Sequence, residues 1–270
     1  MKCRLADVDL EYDVSGASHS PTLLLVHGFP HDRTLWSPQM HALSGTYQCV
    51  AVDLRGFGES SAAPPYTMDQ YADDLAALLD AIGVERAVVA GLSMGGYIAF
   101  AMWRRHAQRV QGFVLVDTRA GADTDMVRAR RSEMIALVRA GGVPALPVQL
   151  ASAQLGASTR ARQPELESAV LAMARRASEG GVLGALDAMM ARPDSTSTLA
   201  TITVPTLIVV GDEDILAPPV EAEQIHALLP SSRLDVIRGA GHLSNMERPA
   251  AFNAAVSAFA STICDTAQAH

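Results

Sequence analysis

A serine flanked by two glycines, Gly91-Leu92-Ser93-Met94-Gly95, is the clearest chemical signal in the chain. It follows an apolar run at residues 87–90, which predicts a strand, and it precedes a helical pattern over residues 94–105. A sharp turn from strand to helix strains the backbone of its central residue and lifts that side chain clear of the sheet. The two glycines lack a Cβ, so neighbouring backbone can approach closely. This placement predicts that the Ser93 hydroxyl is a nucleophile.

A serine hydroxyl needs a base and an orienting acid. His242 follows the predicted strand at residues 233–237 in a glycine-rich loop, where it could act as general base and then general acid. Asp212 and Asp214 follow the predicted strand at residues 206–210, and the carboxyl ends of parallel strands are where such sheets hold their sites. The residues alone leave these two aspartates as alternatives for the acid.

An oxyanion hole requires two backbone donors aimed at one point. The N–H of Met94, at the start of the predicted helix, is one candidate. The second should come from the loop His27-Gly28-Phe29-Pro30, which follows an apolar strand pattern at residues 22–27. Pro30 has no N–H, so Phe29 is the predicted donor.

The elements that must position these residues alternate along the chain. Strand patterns at residues 5–14, 22–27, 48–52, 87–90 and 110–116 are interleaved with helical patterns at 35–43, 67–82 and 94–105. Further strands at 206–210 and 233–237 are each followed by a helix, at 218–229 and 249–263. Residues 119–200 have a helical pattern without a convincing strand. The rhythm predicts one α/β core, residues 1–118 and 201–270, with a helical cap at 119–200.

Composition narrows the function classes. The net charge of −8 disfavours binding to nucleic acid or to an anionic membrane surface. No apolar run has transmembrane length, the amino-terminal residues do not resemble a signal peptide, and the three cysteines are scattered. These features predict a cytoplasmic protein with reduced thiols.

Five stretches together resemble the α/β-hydrolase superfamily, most closely the 3-oxoadipate enol-lactonases and their esterase relatives. They are LLLVHGFP, VDLRGFGESS, YADDLAALLDAIGVERAVVAGLSMGGYIAF, VPTLIVVGDEDILAPP and GAGHLSNMERPAAF. The resemblance implies a mostly parallel eight-stranded sheet flanked by helices, with a helical cap inserted after the sixth strand. It makes Ser93 the nucleophile, Asp214 the acid and His242 the base, with Phe29 and Met94 as oxyanion donors. It selects Asp214 because the family acid ends a G-x-x-D pattern.

The cap sequence contains no Phe, Tyr or Trp but does contain methionines, at positions 126, 134, 173, 189 and 190. Flexible methionine side chains suit varied small acyl groups. The residues expected to line the substrate pocket are Pro30, Met189, Met190, Leu216 and Leu243. The cap also carries ten arginines, at positions 119, 128, 130, 131, 139, 160, 162, 175, 176 and 192. An arginine facing the pocket could pair with a substrate carboxylate, whereas the alternative is a solvated helix face.

The sequence thus predicts a serine hydrolase of small or medium carboxylic esters, with lactones included, that needs no cofactor and no metal. One alternative is a 3-oxoadipate enol-lactonase, and another is a perhydrolase in which peroxide replaces water at the same triad. A third is a hydrolase-fold protein that binds a ligand without turnover. The expected partner is a small ester or lactone, and a homodimer is left open.

Overall fold

The computed structural model describes residues 1–146 and 148–267; the side chains of residues 148, 149, 260–262 and 264–267 are outside that description. Its centre is an eight-stranded sheet with the order β1-β2-β4-β3-β5-β6-β7-β8. The strands are β1 (Lys2–Arg4), β2 (Asp9–Ser15), β3 (Thr22–Val26), β4 (Gln48–Val52), β5 (Ala87–Leu92), β6 (Val110–Val116), β7 (Thr206–Gly211) and β8 (Ser232–Ile237). Strands β3 to β8 pair with one another in parallel. Strand β2 pairs antiparallel with both β1 and β4.

The predicted single strand at residues 5–14 is wrong in one respect. Only its second half is a strand, β2; residues 5–8 form a turn, in which Leu5 N–H donates to Val8 O at 2.9 Å, and the short strand β1 precedes that turn. The apolar positions are odd-numbered up to Leu5 and even-numbered from Val8, so the alternation changes phase within the turn. This change of phase is the sequence signal for the reversal of the chain.

Helices cover both faces of the sheet. They are α1 (Ser37–Ala42), α2 (Met68–Ala81), α3 (Met94–His106), α4 (Asp125–Gly141), α5 (Val148–Gln154), α6 (Ala157–Arg162), α7 (Pro164–Ala174), α8 (Glu179–Ala191), α9 (Thr196–Leu199), α10 (Pro219–Leu228), α11 (Ser244–Glu247) and α12 (Pro249–Ala267). Alternate residues of a strand enter different cores, as Leu24 and Leu25 do in β3. One core includes side chains of α2, α3 and α10, and the other includes side chains of α12. This packing explains why the central strands read as continuous apolar runs.

Helices α4 to α9 form the cap between β6 and β7, and within residues 117–146 and 148–205 no strand occurs. Thr124 and Ser178 begin α4 and α8, and each hydroxyl accepts a backbone N–H of the first turn. Such caps satisfy donors that a helix start otherwise leaves unpaired. Across the described residues, none of the helices is both long enough and apolar enough to span a membrane.

Candidate active site

Ser93 lies between the end of β5 and the start of α3, with φ 54° and ψ −110°. A positive φ is unfavourable for a residue with a Cβ, so this backbone is strained. Two hydrogen bonds connect this turn to the end of β6 and to the residues that follow β6. Ser93 N–H donates to Val116 O at 2.9 Å, and the Thr118 hydroxyl donates to Ser93 O at 2.8 Å.

The two glycines of the motif are required by close backbone contact. A Cβ at Gly91 would overlap Gly95 O, and a Cβ at Gly95 would overlap Val26 O of β3. Helix α3 therefore begins directly against the central strands. We call the turn from β5 through Ser93 into α3 the elbow. It depends on both glycines because the neighbours that a Cβ would meet are backbone atoms, which cannot rotate away.

Three side chains form a continuous hydrogen-bonded chain. The Ser93 hydroxyl donates to His242 Nε2 at 2.8 Å, and His242 Nδ1 donates to Asp214 Oδ2 at 2.8 Å. His242 is 5% exposed and Asp214 is 3% exposed, whereas Ser93 is only partly buried. An imidazole at the hydroxyl and a carboxylate behind the imidazole are the groups, in the order, that activation of a serine requires.

The structure distinguishes the two candidate aspartates. Asp214 Oδ2 faces His242, and its Oδ1 accepts the backbone N–H groups of Leu216 and Ala217 at 2.8 and 2.9 Å. These bonds fix the carboxylate in place. Asp212 instead accepts the N–H of Gly239 at 2.6 Å, within the loop that leads to His242. Asp214 is therefore the carboxylate in contact with the histidine.

A second buried carboxylate, Asp117, lies behind this chain. It follows β6 with φ 45°, and it accepts the N–H of Gly211 at 2.9 Å and the hydroxyl and N–H of Ser244 at 2.6 and 3.1 Å. Asp117 thus ties the end of β7 to the segment after His242. Burial and the adjacent charge of Asp214 raise the pKa of Asp117 to about 8.

The pKa of His242 reflects opposing influences. Burial works to lower it, but the charge and hydrogen bond of Asp214 hold the pKa of His242 above its usual value. Arg119 opposes this rise by a smaller amount. The net effect favours the protonated form of His242.

The predicted oxyanion donors come from two loops that meet at Ser93. Met94 is the first residue of α3, where helical N–H groups have no carbonyl of the helix to bind. Gly28 packs against the elbow, since a Cβ there would lie 3.3 Å from the Cβ of Ser93. Gly28 O accepts hydrogen bonds from His27 Nδ1 and from the backbone N–H of His31, each at 2.9 Å. Because C=O and N–H of one trans peptide point in opposite directions, these bonds also orient the N–H of Phe29.

A cavity of about 370 Å³ opens at Ser93 and His242, between the core and the cap. Its walls come from the loop after β3, from helices α3, α4, α5, α8 and α10, and from the loop after β7. The lining residues are Phe29, Ser93, Tyr97, Arg119, Val127, Arg130, Arg131, Met134, Leu150, Gln154, Met189, Ile215, Leu216, Ala217, Pro218, Glu221 and His242. Most of the lining residues are uncharged, and three arginines and one glutamate are among them.

Of the predicted pocket residues, Met189 and Leu216 line this cavity, but Pro30, Met190 and Leu243 do not. Leu243 is fully buried in the core under β7 and α12. Met190, one position along α8, turns away from Met189 and its sulfur contacts the Ser132 hydroxyl at 3.8 Å. Pro30 is buried outside the lining, although its neighbour Phe29 lies in it. Neighbours in sequence point in different directions, and the sequence did not reveal which would face inward.

Some of the cap arginines face the cavity, and others do not. Arg119, Arg130 and Arg131 line the cavity. Arg131 also pairs with Asp123 at 2.6 Å, and the guanidinium of Arg119 donates to Leu216 O and lies 3.8 Å from Glu221. Others hold the structure together: Arg176 Nε donates to Asp32 at 2.7 Å, linking the cap to the loop after β3.

Comparison with known proteins agrees with this architecture. A family model described as the α/β hydrolase fold matches residues 21–249. The chain belongs to the α/β-hydrolase family. Among curated α/β-hydrolase relatives, 3-oxoadipate enol-lactonase 1 of Acinetobacter baylyi is 27% identical over 94% of this chain and 94% of its own. A Caulobacter protein with the provisional name carbamate hydrolase RutD is 30% identical over 93% of this chain and 96% of its own.

Solved α/β-hydrolase structures are also similar. A thermophilic esterase from Thermogutta terrifontis, solved with malate bound, is 35% identical with a TM-score of 0.93, over 97% of this chain and 99% of its own. An enol-lactonase from Burkholderia xenovorans is 28% identical with a TM-score of 0.89, over 97% and 100%. The chain is therefore a hydrolase whose relatives include esterases and enol-lactonases.

Two residues near the site were missed by the sequence analysis. Asp117 had a detectable signal, because it is a carboxylate directly after a predicted strand. Gln154 had none, because it lies in the cap, whose helices could not be packed from the sequence pattern. Among the described residues, no group of three or more His, Cys, Asp or Glu side chains is arranged to hold a metal ion.

Proposed function

We propose that this α/β hydrolase cleaves carboxylic esters, including lactones, through an acyl-enzyme on Ser93. The observation that carries the proposal is the unbroken chain from Asp214 through His242 to Ser93, with both contacts at 2.8 Å, ending at a cavity. Esterases and lactonases among the relatives support the same chemistry.

In the first half-reaction, Ser93 Oγ attacks the ester carbonyl while His242 Nε2 takes the hydroxyl proton. The negative charge that develops on the carbonyl oxygen is stabilised by the N–H groups of Phe29 and Met94. His242 then returns its proton to the leaving alcohol, and the acyl group stays on Ser93. Asp214 keeps the proton of the neutral imidazole on Nδ1 and stabilises the imidazolium.

In the second half-reaction, water attacks the acyl-enzyme while His242 again accepts a proton. The carboxylic acid leaves and the Ser93 hydroxyl is restored. A lactone follows the same path, except that the alcohol and the acid remain in one molecule. Peroxide in place of water would give a peracid by the same steps, so rates with the two nucleophiles measure that alternative.

The test uses short p-nitrophenyl esters with wild-type protein and with Ser93→Ala. Loss of the nucleophile should lower kcat by several orders of magnitude, up to about 10⁶-fold as in other triads. Asp214→Asn should lower kcat by about 10³- to 10⁴-fold. Asp212→Asn is the matched control, since that carboxylate is in the same loop without contacting His242, and it should change kcat little. Undiminished turnover by Ser93→Ala would refute the proposal.

A second candidate concerns the acyl group and rests on the cavity arginines. Three arginines and one glutamate line the cavity, so an anionic acyl group would be attracted to it. Arg119 is well placed because it lies within electrostatic reach of His242 and is only 17% exposed. The similarity to an enol-lactonase and to an esterase with bound malate supports a substrate that carries a second carboxylate.

Hydrolysis of a dicarboxylic acid monoester, compared with a neutral ester of the same length, tests this candidate. Arg119→Gln should lower the preference for the acidic ester roughly tenfold, the effect of losing a charge-assisted hydrogen bond of about 1.4 kcal/mol. Arg128→Gln in α4, outside the cavity lining, should leave the preference unchanged. An equal preference in wild-type protein and Arg119→Gln would exclude this role. A lactone and a carbamate in the same panel compare the chemistries of the other relatives.

A further inference from the structure

One residue of the cap, Gln154, contacts both loops of the candidate active site. It is the last residue of α5, it is 4% exposed, and it lines the cavity. Its side-chain Nε2 donates to Phe29 O at 3.1 Å, and its Oε1 lies 3.2 Å from His31 Nε2. Its backbone carbonyl accepts the N–H of His242 at 2.9 Å. A single cap residue therefore contacts both the loop that carries Phe29 and the proposed base, His242.

The orientation of the Gln154 amide is fixed by its partners. A carbonyl oxygen only accepts, so the NH₂ group of Gln154 must face Phe29 O. Oε1 then faces His31 and must accept, so His31 carries its proton on Nε2. Burial, with the charges of His27 and His242, lowers the pKa of His31 to about 3, and His31 is therefore neutral. The donors form one ordered chain from His31 through Gln154 to Phe29.

The hydrogen bonds from His31 through Gln154 to Phe29 act on the peptide groups that form the predicted oxyanion hole. Gln154 holds the carbonyl of Phe29, while His27 and His31 hold the carbonyl of Gly28. The N–H of Phe29 lies between these two held carbonyls. The direction of this N–H is therefore fixed by the hydrogen bonds to both carbonyls. The group that binds the Phe29 carbonyl, Gln154, belongs to the cap.

The segment that follows Gln154 is docked firmly on the loop of His242. The buried carboxylate of Glu247 accepts the N–H groups of Gly156 and Gly241, each at 2.9 Å. A Cβ at Gly156 would lie 2.8 Å from Gly241 N, so the two backbones are in direct contact. Ser158 N–H donates to Glu213 at 2.7 Å, next to Asp214. The cap is thus fastened where the base and the acid are held.

We propose that Gln154 is a positioning residue that completes the oxyanion hole by orienting Phe29, and that it makes this orientation dependent on docking of α5. The inference rests on the proposed ester hydrolysis. Gln154 is not required to touch the reacting atoms, because it acts through the Phe29 peptide and through the backbone of His242.

The test compares Gln154→Met, which keeps the length of the side chain but removes both of its hydrogen bonds, with Ser152→Ala. Ser152 lies in the same helix, and its hydroxyl contacts Glu167 within the cap, so this control loses a cap contact without a link to the core. For Gln154→Met we expect kcat to fall about 10- to 100-fold, below the 10²- to 10³-fold effect of losing an oxyanion donor outright. KM should change less than about twofold, and Ser152→Ala should retain wild-type values.

A second measurement separates positioning from general damage. Ser93 Oγ is expected to add to the carbonyl carbon of a trifluoromethyl ketone, which leaves a negative charge on the former carbonyl oxygen. The corresponding methyl ketone binds largely without this addition. Gln154→Met should bind the first compound at least about tenfold more weakly and the second equally well. Thermal unfolding close to that of Ser152→Ala would show that the variant is folded.

The outcomes are distinguishable. Equal weakening of both ketones, or wild-type kcat in Gln154→Met, overturns the inference and leaves the proposed function standing. Absence of Ser93-dependent turnover in the wild-type protein overturns the proposed function and this inference with it.

Discussion

The strained backbone of Ser93 predicts an unusual order of stability between two variants that lack its hydroxyl. Ser93→Ala and Ser93→Gly both lose the hydroxyl and its hydrogen bond to His242, so that loss cancels in the comparison. Only Ser93→Ala keeps the Cβ at φ 54°. Glycine adopts such a conformation without steric cost, so Ser93→Gly should be the more stable of the two.

The magnitude follows from two opposing effects. A residue with a Cβ in a sparsely populated region costs about 1–3 kcal/mol. Glycine increases the entropy of the unfolded chain, which costs about 0.4–1 kcal/mol relative to alanine. The net free energy of unfolding of Ser93→Gly should exceed that of Ser93→Ala by about 1 kcal/mol, or roughly 2–4 °C in Tm for a domain near this size.

Urea unfolding at equilibrium measures this difference. The same pair of substitutions at Ser152, inside α5, is the control, and there alanine should be more stable than glycine by about 1 kcal/mol. The order should therefore reverse between the two positions. Equal stability at position 93, or greater stability of Ser93→Ala, would refute the strain argument.

Three further predictions concern the groups around the triad. Because Asp214 holds the pKa of His242 above its usual value, kcat/KM should rise with pH through a pKa above 6.5, and Asp214→Asn should move this limb to lower pH in a pH–rate profile. Asp117 binds its proton more tightly in the folded protein than in the unfolded chain, so its contribution to stability should be lost as pH rises from about 4 to about 8. Denaturant unfolding of Asp117→Asn should lack that decline, and an identical pH dependence would contradict it. Gly95→Ala should destabilise the fold by about 1–3 kcal/mol and lower kcat, whereas Gly45→Ala, at an open position, should alter neither.

The sequence predicted those parts of the site that directly follow strands of the sheet. The buried strand β5 reads as an apolar run, which located the elbow at Ser93. The loop of His242 follows β8, an edge strand that is only partly buried, and the glycines of the loop mark it instead. The choice of Asp214 came from the family resemblance, because the residues gave no reason to prefer it to Asp212. The structure supplies the reason: the two carboxylates of one loop bond to different partners.

Other features depend on contacts between segments far apart in the chain. The inward direction of Met189 and the outward direction of Met190 depend on how α8 packs on α4, which no local pattern specifies. Gln154 meets Phe29 across 125 residues of chain, so its part in the site became apparent only from the packed cap.

Direct observation of the acyl-enzyme tests the central claim most directly. Wild-type protein mixed with p-nitrophenyl acetate and quenched in acid should gain the mass of one acetyl group, and peptide mapping should place that group on Ser93. In His242→Ala the acetyl-enzyme should form far more slowly, because no base takes the serine proton. Acetylation at another residue, or release of nitrophenol from Ser93→Ala at the wild-type rate, would contradict the assignment of Ser93 as the nucleophile.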